Sequence, residues 1–197
     1  GMLKSVGQQC GIRVLAMPTV EDAGVRISSS LIREALAQAD FGWAAQMLGR
    51  PYTLSGRVVH GRRLGTELGF PTLNLRFPHG QPALSGIFVV QVCGLDADPQ
   101  RPLPAVASFG TRPAVEAHGQ WLLEAHLLDW QGDAYGRLVQ VEFLKKLRDE
   151  AHFDSLDALK TQIARDTGEA RCHFLQHASA KAANTPAPSS SPSPSTS

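Results

Sequence analysis

Three glycines at four-residue spacing, Gly61, Gly65 and Gly69, precede a threonine and an asparagine, Thr72 and Asn74. Glycine lets the backbone turn tightly and bring its N–H groups close to an anion, so this segment is a candidate phosphate-binding loop. The same spacing is also typical of a long turn that binds nothing. The Thr72 hydroxyl and the Asn74 side-chain carbonyl would share one face of a strand. They are hard oxygen ligands of the kind that Mg²⁺ prefers, and Mg²⁺ commonly takes its other ligands from substrate phosphates.

Glu124 is a carboxylate on a predicted strand, where it lies on a face of mixed character between Leu122 and Leu128. Glutamate favours full solvation, so a partly buried glutamate is a candidate general base. The plainer interpretation is an exposed side chain on a solvated strand face. His126 lies one pleat further along the same face, and for this side chain we favour a cross-strand hydrogen bond over a role as a second base.

Arg148 belongs to a charged segment, residues 147–150, that we place between the last predicted strand and the last predicted helix. A guanidinium can clamp a phosphate or stack on a flat ring system. Mixed charges in a connection are more often a solvated surface, so both interpretations stay open. The sequence has no Walker A loop, no H-E-x-x-H or Cys/His zinc pattern, no G-x-S-x-G elbow and no G-x-G-x-x-G after a strand.

The segments that must position these side chains have a hydrophobic period of two after residue 51. This alternation predicts strands, which Gly, Pro and Asp residues separate. Short strands without helices between them favour a small antiparallel barrel over a parallel sheet. An apolar stripe then predicts a final helix over residues 155–165. The predicted strands are residues 52–60, 86–94, 103–109, 121–129 and 137–144.

The first 50 residues differ because their hydrophobic spacing is helical in two places. The serines at 28–30 can cap one helix, and Asp40 can cap a second helix that Gly49 would end. Residues 11–20 are a candidate strand. A segment of this length does not easily bury a core alone, so we interpret it as the trailing part of a domain whose front half is missing.

The 197 residues are 43% hydrophobic and 19% charged, with 18 glycines, 13 prolines and a formal net charge of +1. The apolar content is enough for a folded core, while the near-neutral charge does not suit a nucleic-acid-binding surface. Three cysteines cannot form a disulfide framework, which favours a reducing cytoplasm. No apolar run approaches the roughly 20 residues that cross a bilayer. From residue 177 onward Ala, Ser and Pro dominate, which predicts a disordered tail.

Several further motifs occur in a fixed order between about residues 50 and 175. They are LGRPY at 48–52, HG at 60–61, the segment 65–74, GIF at 86–88, GTRP at 110–113, EAHLLD at 124–129, YG at 135–136 and LRDE at 147–150. In this order they resemble the riboflavin kinase module of prokaryotic bifunctional riboflavin kinase/FMN adenylyltransferases. Residues 27–33 are similar to the last motif of the adenylyltransferase domain in that family, which helps to hold nucleotide phosphates.

The resemblance implies a mostly β fold, a six-stranded antiparallel Greek-key barrel with a C-terminal helix, preceded by a short helical remnant of an α/β nucleotidyltransferase domain. It implies that ATP, with Mg²⁺ as the metal, phosphorylates riboflavin to give FMN and ADP. By the same resemblance Glu124 is the base for the ribityl 5′-hydroxyl, Arg148 lies on the flavin side, and the loop 61–69 covers the ATP phosphates. The residues that the resemblance assigns to nucleotide binding are Gly61, Gly65, Gly69, Thr72 and Asn74, and the last two also bind the metal.

The resemblance divides the chain into residues 1–50, the C-terminal remnant of an FMN adenylyltransferase domain, 51–176, the riboflavin kinase domain, and 177–197, a disordered tail. The adenylyltransferase reaction depends on an H-x-G-H motif that this sequence lacks. We therefore expect this chain to make FMN and no FAD, whereas a full-length parent would make both. The expected partners are riboflavin or FMN and ATP or ADP, with neither nucleic acid nor a membrane.

Two alternatives stay open. One is a barrel that binds a flavin or nucleotide without catalysis, which intact Thr72, Asn74 and Glu124 disfavour. The other is a barrel that binds single-stranded nucleic acid, which needs a basic groove with exposed aromatic side chains. A net charge of +1 with only 8 Phe, 3 Trp and 2 Tyr disfavours it.

Overall fold

Six strands of the chain form one antiparallel sheet in the computed structural model. The structure describes residues 2–15, 20–22, 24–61, 64–77, 82–112 and 120–183. The helices are α1 (Met2–Gln9), α2 (Ser29–Ala37), α3 (Phe41–Leu48), α4 (Leu64–Glu67) and α5 (Leu156–Ala183). The strands are β1 (Glu21–Asp22), β2 (Val25–Arg26), β3 (Thr53–Arg57), β4 (Leu73–Phe77), β5 (Gly86–Cys93), β6 (Leu103–Arg112), β7 (Gln120–Leu127) and β8 (Leu138–Arg148).

The six longer strands form a nearly closed barrel with the order β3-β8-β5-β6-β7-β4. Every neighbouring pair in this order is antiparallel. An isolated bridge between Val59 and Asn74 brings the chain after β3 beside β4, so the two outermost strands approach each other. β5, β6 and β7 follow one another and β8 returns to lie beside β5, which is a Greek key. The predicted antiparallel Greek-key barrel is confirmed.

The interior of the barrel is filled by alternate residues of each strand. In β7, Leu123 is fully buried in the core, whereas the neighbouring Glu124 is only partly buried. The rings of Phe88 and Phe109 pack against that of Phe143, with centroids 5.2 Å and 6.2 Å away. Burying one such side chain contributes about 1.5–3 kcal/mol. This core therefore stabilises the strands from inside the barrel.

α5 covers part of the outer face of the barrel. Val89 of β5 and Val106 of β6 form a second apolar cluster with Ala170 of the helix, and Phe174 packs against it. Ala170 is fully buried in this cluster. The helix is thereby fixed beside β5 and β6, where it forms one wall of the cavity described below.

The two helices predicted before residue 50 form where their capping residues indicate. Ser28 Oγ accepts a hydrogen bond from the Leu31 N–H at 3.3 Å, and Asp40 Oδ1 accepts one from the Trp43 N–H at 2.8 Å. Gly49 ends α3 with a φ of 68°, a left-handed conformation that glycine adopts at little cost. These predictions are confirmed.

α2 and α3 share the core of the barrel. The ring of Phe41 in α3 lies 6.1 Å from that of Phe88 and 6.0 Å from that of Phe143, measured between centroids. Leu36 of α2 and Met47 of α3 belong to the same apolar cluster as the barrel interior. The N-terminal part of the chain therefore packs on the barrel through these two helices.

The strand predicted over residues 11–20 is wrong where the structure describes that segment. Residues 11–15 form no strand, and residues 16–19 lie outside the described residues. The Ile12 and Leu15 side chains are 64% and 73% exposed. An unpaired strand is not stable in water, and no described strand pairs with this segment. The sequence patterns also missed α1 and the two-residue strands β1 and β2.

The C-terminal helix is longer than the sequence predicted. α5 begins at Leu156, within one residue of the prediction, but ends at Ala183 rather than at residue 165. Residues 177–183, predicted as the start of a disordered tail, are therefore helical. Alanine and lysine, which dominate this stretch, are good helix formers. The rest of the predicted tail, residues 184–197, lies outside the described residues.

The last strand is also longer than predicted. β8 ends at Arg148, which pairs with Ile87 of β5. The prediction that residues 147–150 connect the last strand to the last helix is therefore wrong for Leu147 and Arg148. Pairing with β5 continues past the apolar residues that marked the strand in the sequence. The position of Arg148 is consequently fixed by the sheet.

None of the helices in the described ranges is both long and apolar enough to cross a bilayer. Cys10, Cys93 and Cys172 are free thiols. The cytoplasmic location inferred from cysteine usage stays a prediction.

Candidate active site

Five side chains that are distant in sequence form one row across the outer face of the barrel. Asn74 of β4 is paired with Glu124 of β7, and Glu124 is paired with Ser108 of β6. Ser108 is paired with Ile87 of β5, which is paired with Arg148 of β8. Directly opposed residues of neighbouring strands project to the same face of a sheet. The barrel thereby brings three of the predicted site residues, Asn74, Glu124 and Arg148, onto one surface.

Four residues of this row line a cavity of about 590 Å³, namely Ile87, Ser108, Glu124 and Arg148, whereas Asn74 does not line it. α5 forms one wall, and the segment after β8 together with the end of the glycine-rich segment forms the others. Ile87, Val106 and Phe153 contribute apolar surface. The predicted site residues among its lining are Gly65, Thr72, Glu124 and Arg148. The structure therefore places the candidate base and the candidate flavin-side arginine in one cavity.

Asn74 is buried, with only 4% of its surface exposed. Its Nδ2 donates a hydrogen bond to the Thr72 carbonyl oxygen at 3.3 Å, and its Oδ1 has no hydrogen-bond partner. A buried acceptor without a partner costs about 1–3 kcal/mol. Such an atom in a folded protein calls for a partner, and a cation is one that an amide oxygen can bind.

Two of the predicted loop glycines lie against these candidate ligands. A Cβ atom on Gly61 would lie 2.5 Å from Asn74 Nδ2. A Cβ atom on Gly65 would collide with the Phe70 carbonyl oxygen and lie 3.4 Å from Thr72 Oγ1. Gly61 and Gly65 are therefore needed for close approach of the loop to Thr72 and Asn74.

Gly69 contributes in another way, because its φ of 88° lies in the region that favours glycine. It follows α4, a short helix that the sequence patterns did not predict. The glycine-rich segment is thus a loop with one helical turn, folded back on the start of β4. Residues 62 and 63 lie outside the described residues.

The residues present fit a hard divalent cation such as Mg²⁺. A hydroxyl oxygen from Thr72 and the unpartnered amide oxygen of Asn74 are the ligand types that such cations prefer. Among the described residues, no group of three or more His, Cys, Asp and Glu side chains could hold a metal ion. A cation here would therefore take its other ligands from water and from a bound phosphate, as Mg²⁺ commonly does.

His126 makes the cross-strand contact that we favoured from the sequence. Its Nδ1 lies 2.9 Å from the Pro71 carbonyl oxygen, and its ring packs edge-on against Phe70 at 5.4 Å. These contacts hold the backbone immediately before Thr72. His126 is thus placed to support the start of β4, next to Glu124 on the same strand.

A second cavity, of about 910 Å³, adjoins the first. It is lined by the loop after β7, residues 129–135, together with Val58, Pro71 and Arg171. Thr72 and His126 line both cavities. Compounds bound in the two cavities would therefore approach each other beside Thr72.

An ion pair joins α5 to the loop of the second cavity. Arg171 of the helix contacts Asp129 through two hydrogen bonds, one of them 2.7 Å long from Nη2 to Oδ1. The hydrogen bond from Arg171 holds the pKa of the Asp129 carboxyl below its usual value. Asp129 has a φ of 57°, which is uncommon for a residue other than glycine. The ion pair therefore fixes a turn at the edge of this cavity.

Arg148 is held by several contacts in the first cavity. Its Nη2 donates to Asp166 Oδ2 at 2.8 Å, and its Nε lies 3.1 Å from Asp166 Oδ1. Its Nη1 donates to the Asp149 carbonyl oxygen at 3.0 Å. The guanidinium also lies over the ring of Phe153, 5.6 Å from the centroid. This arginine is part of a built cavity wall rather than of a solvated surface.

Glu150 adds a second carboxyl group to the lining of this cavity. Its carboxylate occupies the space that a Cβ atom on Gly110 would need. Burial raises the pKa of the Glu150 carboxyl, although the nearby Arg148 guanidinium acts in the opposite direction. Glycine at position 110 therefore permits the segment after β8 to close over the end of β6.

Sequence reasoning missed several residues that shape the site. Asp166 and Arg171 lie beyond residue 165, where the last predicted helix ended, so the sequence patterns did not single them out. The rings of His60 and Tyr135 stack with centroids 3.9 Å apart, which links the start of the glycine-rich loop to the second cavity. Both belong to short motifs, HG and YG, that could have indicated a contact but not which partner each ring has.

Thr72 lies where the two cavities adjoin, with the Glu124 carboxylate in the first cavity and the Asn74 amide two residues further along the chain, an arrangement that would allow a group to pass between two bound compounds. A family model described as "Flavokinase: Riboflavin kinase" matches residues 48–174, well over half of the chain. The chain belongs to the riboflavin kinase family. The match begins at the end of α3 and ends within α5, so it includes both cavities.

The chain is 45% identical over 173 residues to the bifunctional riboflavin kinase/FMN adenylyltransferase of Escherichia coli (strain K12), covering 88% of this chain and 54% of that protein. It is 46% identical over 169 residues to the protein of the same name from Pseudomonas fluorescens, covering 86% and 53%. The chain thus spans about half the length of the curated relatives it matches. A crystal structure named as a macrolide-efflux protein from Streptococcus pneumoniae has a TM-score of 0.65 and 32% identity, covering 85% of this chain and 54% of that one.

Proposed function

We propose that this chain transfers the terminal phosphoryl group of ATP to the ribityl 5′-hydroxyl of riboflavin, giving FMN and ADP. The observation that carries the proposal is the match of residues 48–174 to the riboflavin kinase family. The geometry supports it, because two cavities adjoin beside Thr72 and one of them contains Glu124. A transfer between two small molecules requires such adjoining sites, with the reacting groups held close together.

The first cavity suits the flavin. Its volume of about 590 Å³ lies within the range of roughly 300–1,000 Å³ that is typical of small-molecule pockets. Apolar side chains such as Ile87, Val106 and Phe153 suit a flat ring system, and the Arg148 guanidinium can stack on it. We assign the second cavity, which has the glycine-rich loop at its edge, to the nucleotide.

Glu124 acts as the general base in this proposal. The 5′-hydroxyl oxygen forms a bond to the terminal phosphorus of ATP, the bond from that phosphorus to the bridging oxygen breaks, and ADP leaves. The proton of the hydroxyl passes to the Glu124 carboxylate. Phosphoryl transfer depends mainly on positioning and on neutralising charge, so one oriented base is sufficient.

Thr72 and Asn74 would hold Mg²⁺, which supplies neutralisation of the phosphate charge when it is bound. Gly61, Gly65 and Gly69 let the loop backbone approach the phosphates, where N–H groups can donate to the oxygens. The unpartnered Asn74 Oδ1 and the contact of Gly61 with the same amide support this assignment.

The relatives that bear the name bifunctional riboflavin kinase/FMN adenylyltransferase are about twice as long as the matched part of this chain. We propose that residues 1–50 correspond to the end of an adenylyltransferase domain, 51–176 to the kinase domain and 177–197 to an appended segment. The H-x-G-H motif of the adenylyltransferase is absent from this sequence. This 197-residue chain is therefore expected to make FMN without FAD. We also propose that it acts in the cytoplasm.

Incubation of the purified chain with riboflavin, ATP and Mg²⁺, followed by chromatography of the flavins, tests the proposal. The expected product is FMN, at a rate that depends on both ATP and the metal, with no FAD. Riboflavin binding without any FMN would overturn the kinase proposal and identify a non-catalytic flavin-binding barrel. Formation of FAD would overturn the assignment of residues 1–50.

A further inference from the structure

Asp166 is a buried carboxylate in the middle of α5, with 5% of its side chain exposed. Both of its carboxylate oxygens accept hydrogen bonds. Oδ1 accepts from Arg148 Nε at 3.1 Å and from Gln162 Nε2 at 2.9 Å, and Oδ2 accepts from Arg148 Nη2 at 2.8 Å. A buried charge is costly unless it is paired and hydrogen-bonded, and this one satisfies both conditions.

The contacts fix the orientation of the Arg148 guanidinium. Nε and Nη2 are bound to Asp166, and Nη1 is bound to the Asp149 carbonyl oxygen, so all three nitrogens have a partner. A bidentate pair of this kind fixes both the position and the plane of the guanidinium. The ring of Phe153 packs against the guanidinium, with its centroid 5.6 Å from Arg148 Cζ. An arginine without such partners keeps many side-chain conformations, and ordering them costs binding free energy.

The pair lies in the cavity that we assign to the flavin. Arg148 and Asp166 both line it, and Arg148 belongs to the same row of paired strand residues as Glu124. We propose that Asp166 is a positioning residue of the flavin site, which holds the Arg148 guanidinium in the orientation that contacts the flavin. α5 then contributes to substrate binding as well as to packing. This inference rests on the proposed function.

Asp166→Asn tests the inference with little change in shape. The amide places an N–H group against an arginine N–H, so the bidentate pair is lost. We expect the dissociation constant for riboflavin, measured from flavin fluorescence, to rise about 3- to 10-fold. The KM for riboflavin should rise to a similar extent, while the KM for ATP and kcat stay within about twofold. Glu169→Gln, at an exposed residue one turn further along α5, is the matched control and should behave as the wild type.

A second comparison separates positioning from a purely structural role. If Asp166 acts through Arg148, Asp166→Asn should add nothing to the loss of riboflavin affinity already caused by Arg148→Met. Independent, additive losses would overturn the inference, as would equal changes in both KM values and kcat. Asp166→Glu keeps the charge and should recover part of the affinity.

Gln162→Leu gives a test that leaves the buried pair intact. It removes one hydrogen bond to Asp166 Oδ1, and we expect a rise of two- to threefold in the riboflavin dissociation constant. Unchanged affinity in both Gln162→Leu and Asp166→Asn would refute the role of Asp166. The binding assay does not depend on turnover, so a wild-type chain that binds riboflavin without phosphorylating it would count only against the proposed function.

Discussion

Strand register places Glu124 in the candidate site. It is paired with Asn74 on one side and with Ser108 on the other, so the proposed base and a proposed metal ligand face the same way. A shift of one residue in either pairing would turn Glu124 toward the apolar core. The residue type supplies the chemistry, and the barrel supplies the position.

We predict that Glu124→Gln lowers kcat by about 10²–10⁴-fold, which is the contribution typical of a general base. The amide has nearly the shape of the carboxylate but does not accept a proton at neutral pH. Nucleotide affinity should survive, because Glu124 lines the cavity that we assign to the flavin and not the second one. Steady-state kinetics and an ATP-binding measurement check both parts, with Glu169→Gln as the control. Turnover near the wild-type rate would remove Glu124 from the mechanism.

The proposed metal ligands, Thr72 and Asn74, lead to a different prediction. Thr72→Ala or Asn74→Ala removes one oxygen ligand, so the Mg²⁺ concentration for half-maximal activity should rise about tenfold or more. Thr72→Ser keeps the hydroxyl and should titrate close to the wild type. A Mg²⁺ titration of FMN formation distinguishes the three variants. Unchanged curves for both alanine variants would contradict the assignment.

At the scale of single residues, the sequence indicated which side chains have suitable chemistry better than it indicated their contacts. Thr72, Asn74 and Glu124 attracted attention because hydroxyl, amide and carboxyl groups on strands have recognisable chemistry. The proposed role of Arg148 depended on the family resemblance, since its surroundings in sequence left a solvated surface as an alternative. Asp166 could not be predicted, because burial and a bidentate partner 18 residues away are properties of the folded chain.

Among the elements, the glycine-rich loop and β4 depend on each other. Gly61 packs against the Asn74 amide, and Gly65 packs against the Phe70 carbonyl oxygen. The loop therefore reaches its position only because residues 61 and 65 have no side chain. His126 supports the same segment from β7 by its contact with the Pro71 carbonyl oxygen. The loop and the proposed metal ligands are therefore expected to move together.

We predict that Gly61→Ala lowers turnover about tenfold to a hundredfold and raises the KM for ATP. Its Cβ atom would lie 2.5 Å from Asn74 Nδ2, so the amide or the loop must shift, and small displacements at a reacting centre are costly. The matched control is Gly168→Ala in α5, where nothing lies within 4 Å. That change should stabilise the helix by about 1 kcal/mol and leave turnover unchanged. Equal kinetics for the two variants would show that the approach of the loop to Asn74 is unimportant.

The elements themselves were predictable to different degrees. Alternation of apolar residues located five of the six barrel strands because each has one buried face, as in β7, but it did not locate β4. It failed at residues 11–15, where apolar side chains remain exposed, and at the end of β8, where pairing with β5 extends a strand past its apolar pattern. The length of α5 was underestimated because the polar residues Asp166 and Thr167 interrupt the apolar stripe before Ala170 and Phe174, which pack on the barrel.

On the scale of the whole molecule, α5 completes both cavities. It contributes Ile163 and Asp166 to the first cavity and Arg171 to the second, and its Ala170 is buried against the barrel between them. Composition predicted a globular β-rich chain, but nothing in it indicated that one helix lines two cavities. We therefore expect both the proposed activity and the stability of the chain to depend on the docking of α5.

The docking of α5 should weaken in acid through His173. Burial, and then the neighbouring His177 and Lys145, hold the pKa of His173 below its usual value. The unfolded chain therefore binds a proton at His173 at a higher pH than the folded chain does. Stability from this group is fully present above the usual histidine pKa of about 6.5 and is lost as the pH falls through the lower pKa of the folded state.

We predict that His173→Gln reduces the fall in Tm between pH 7.5 and pH 5.5 by about 1–3 °C, because glutamine has no proton to bind in this range. Thermal unfolding at several pH values measures the effect. His152→Gln, at an exposed histidine that precedes α5, is the control and should keep the wild-type pH profile. If His173→Gln and the wild type lose the same stability over this range, acid sensitivity arises elsewhere in the chain. In that case the docking of α5 on the barrel does not depend on an uncharged His173.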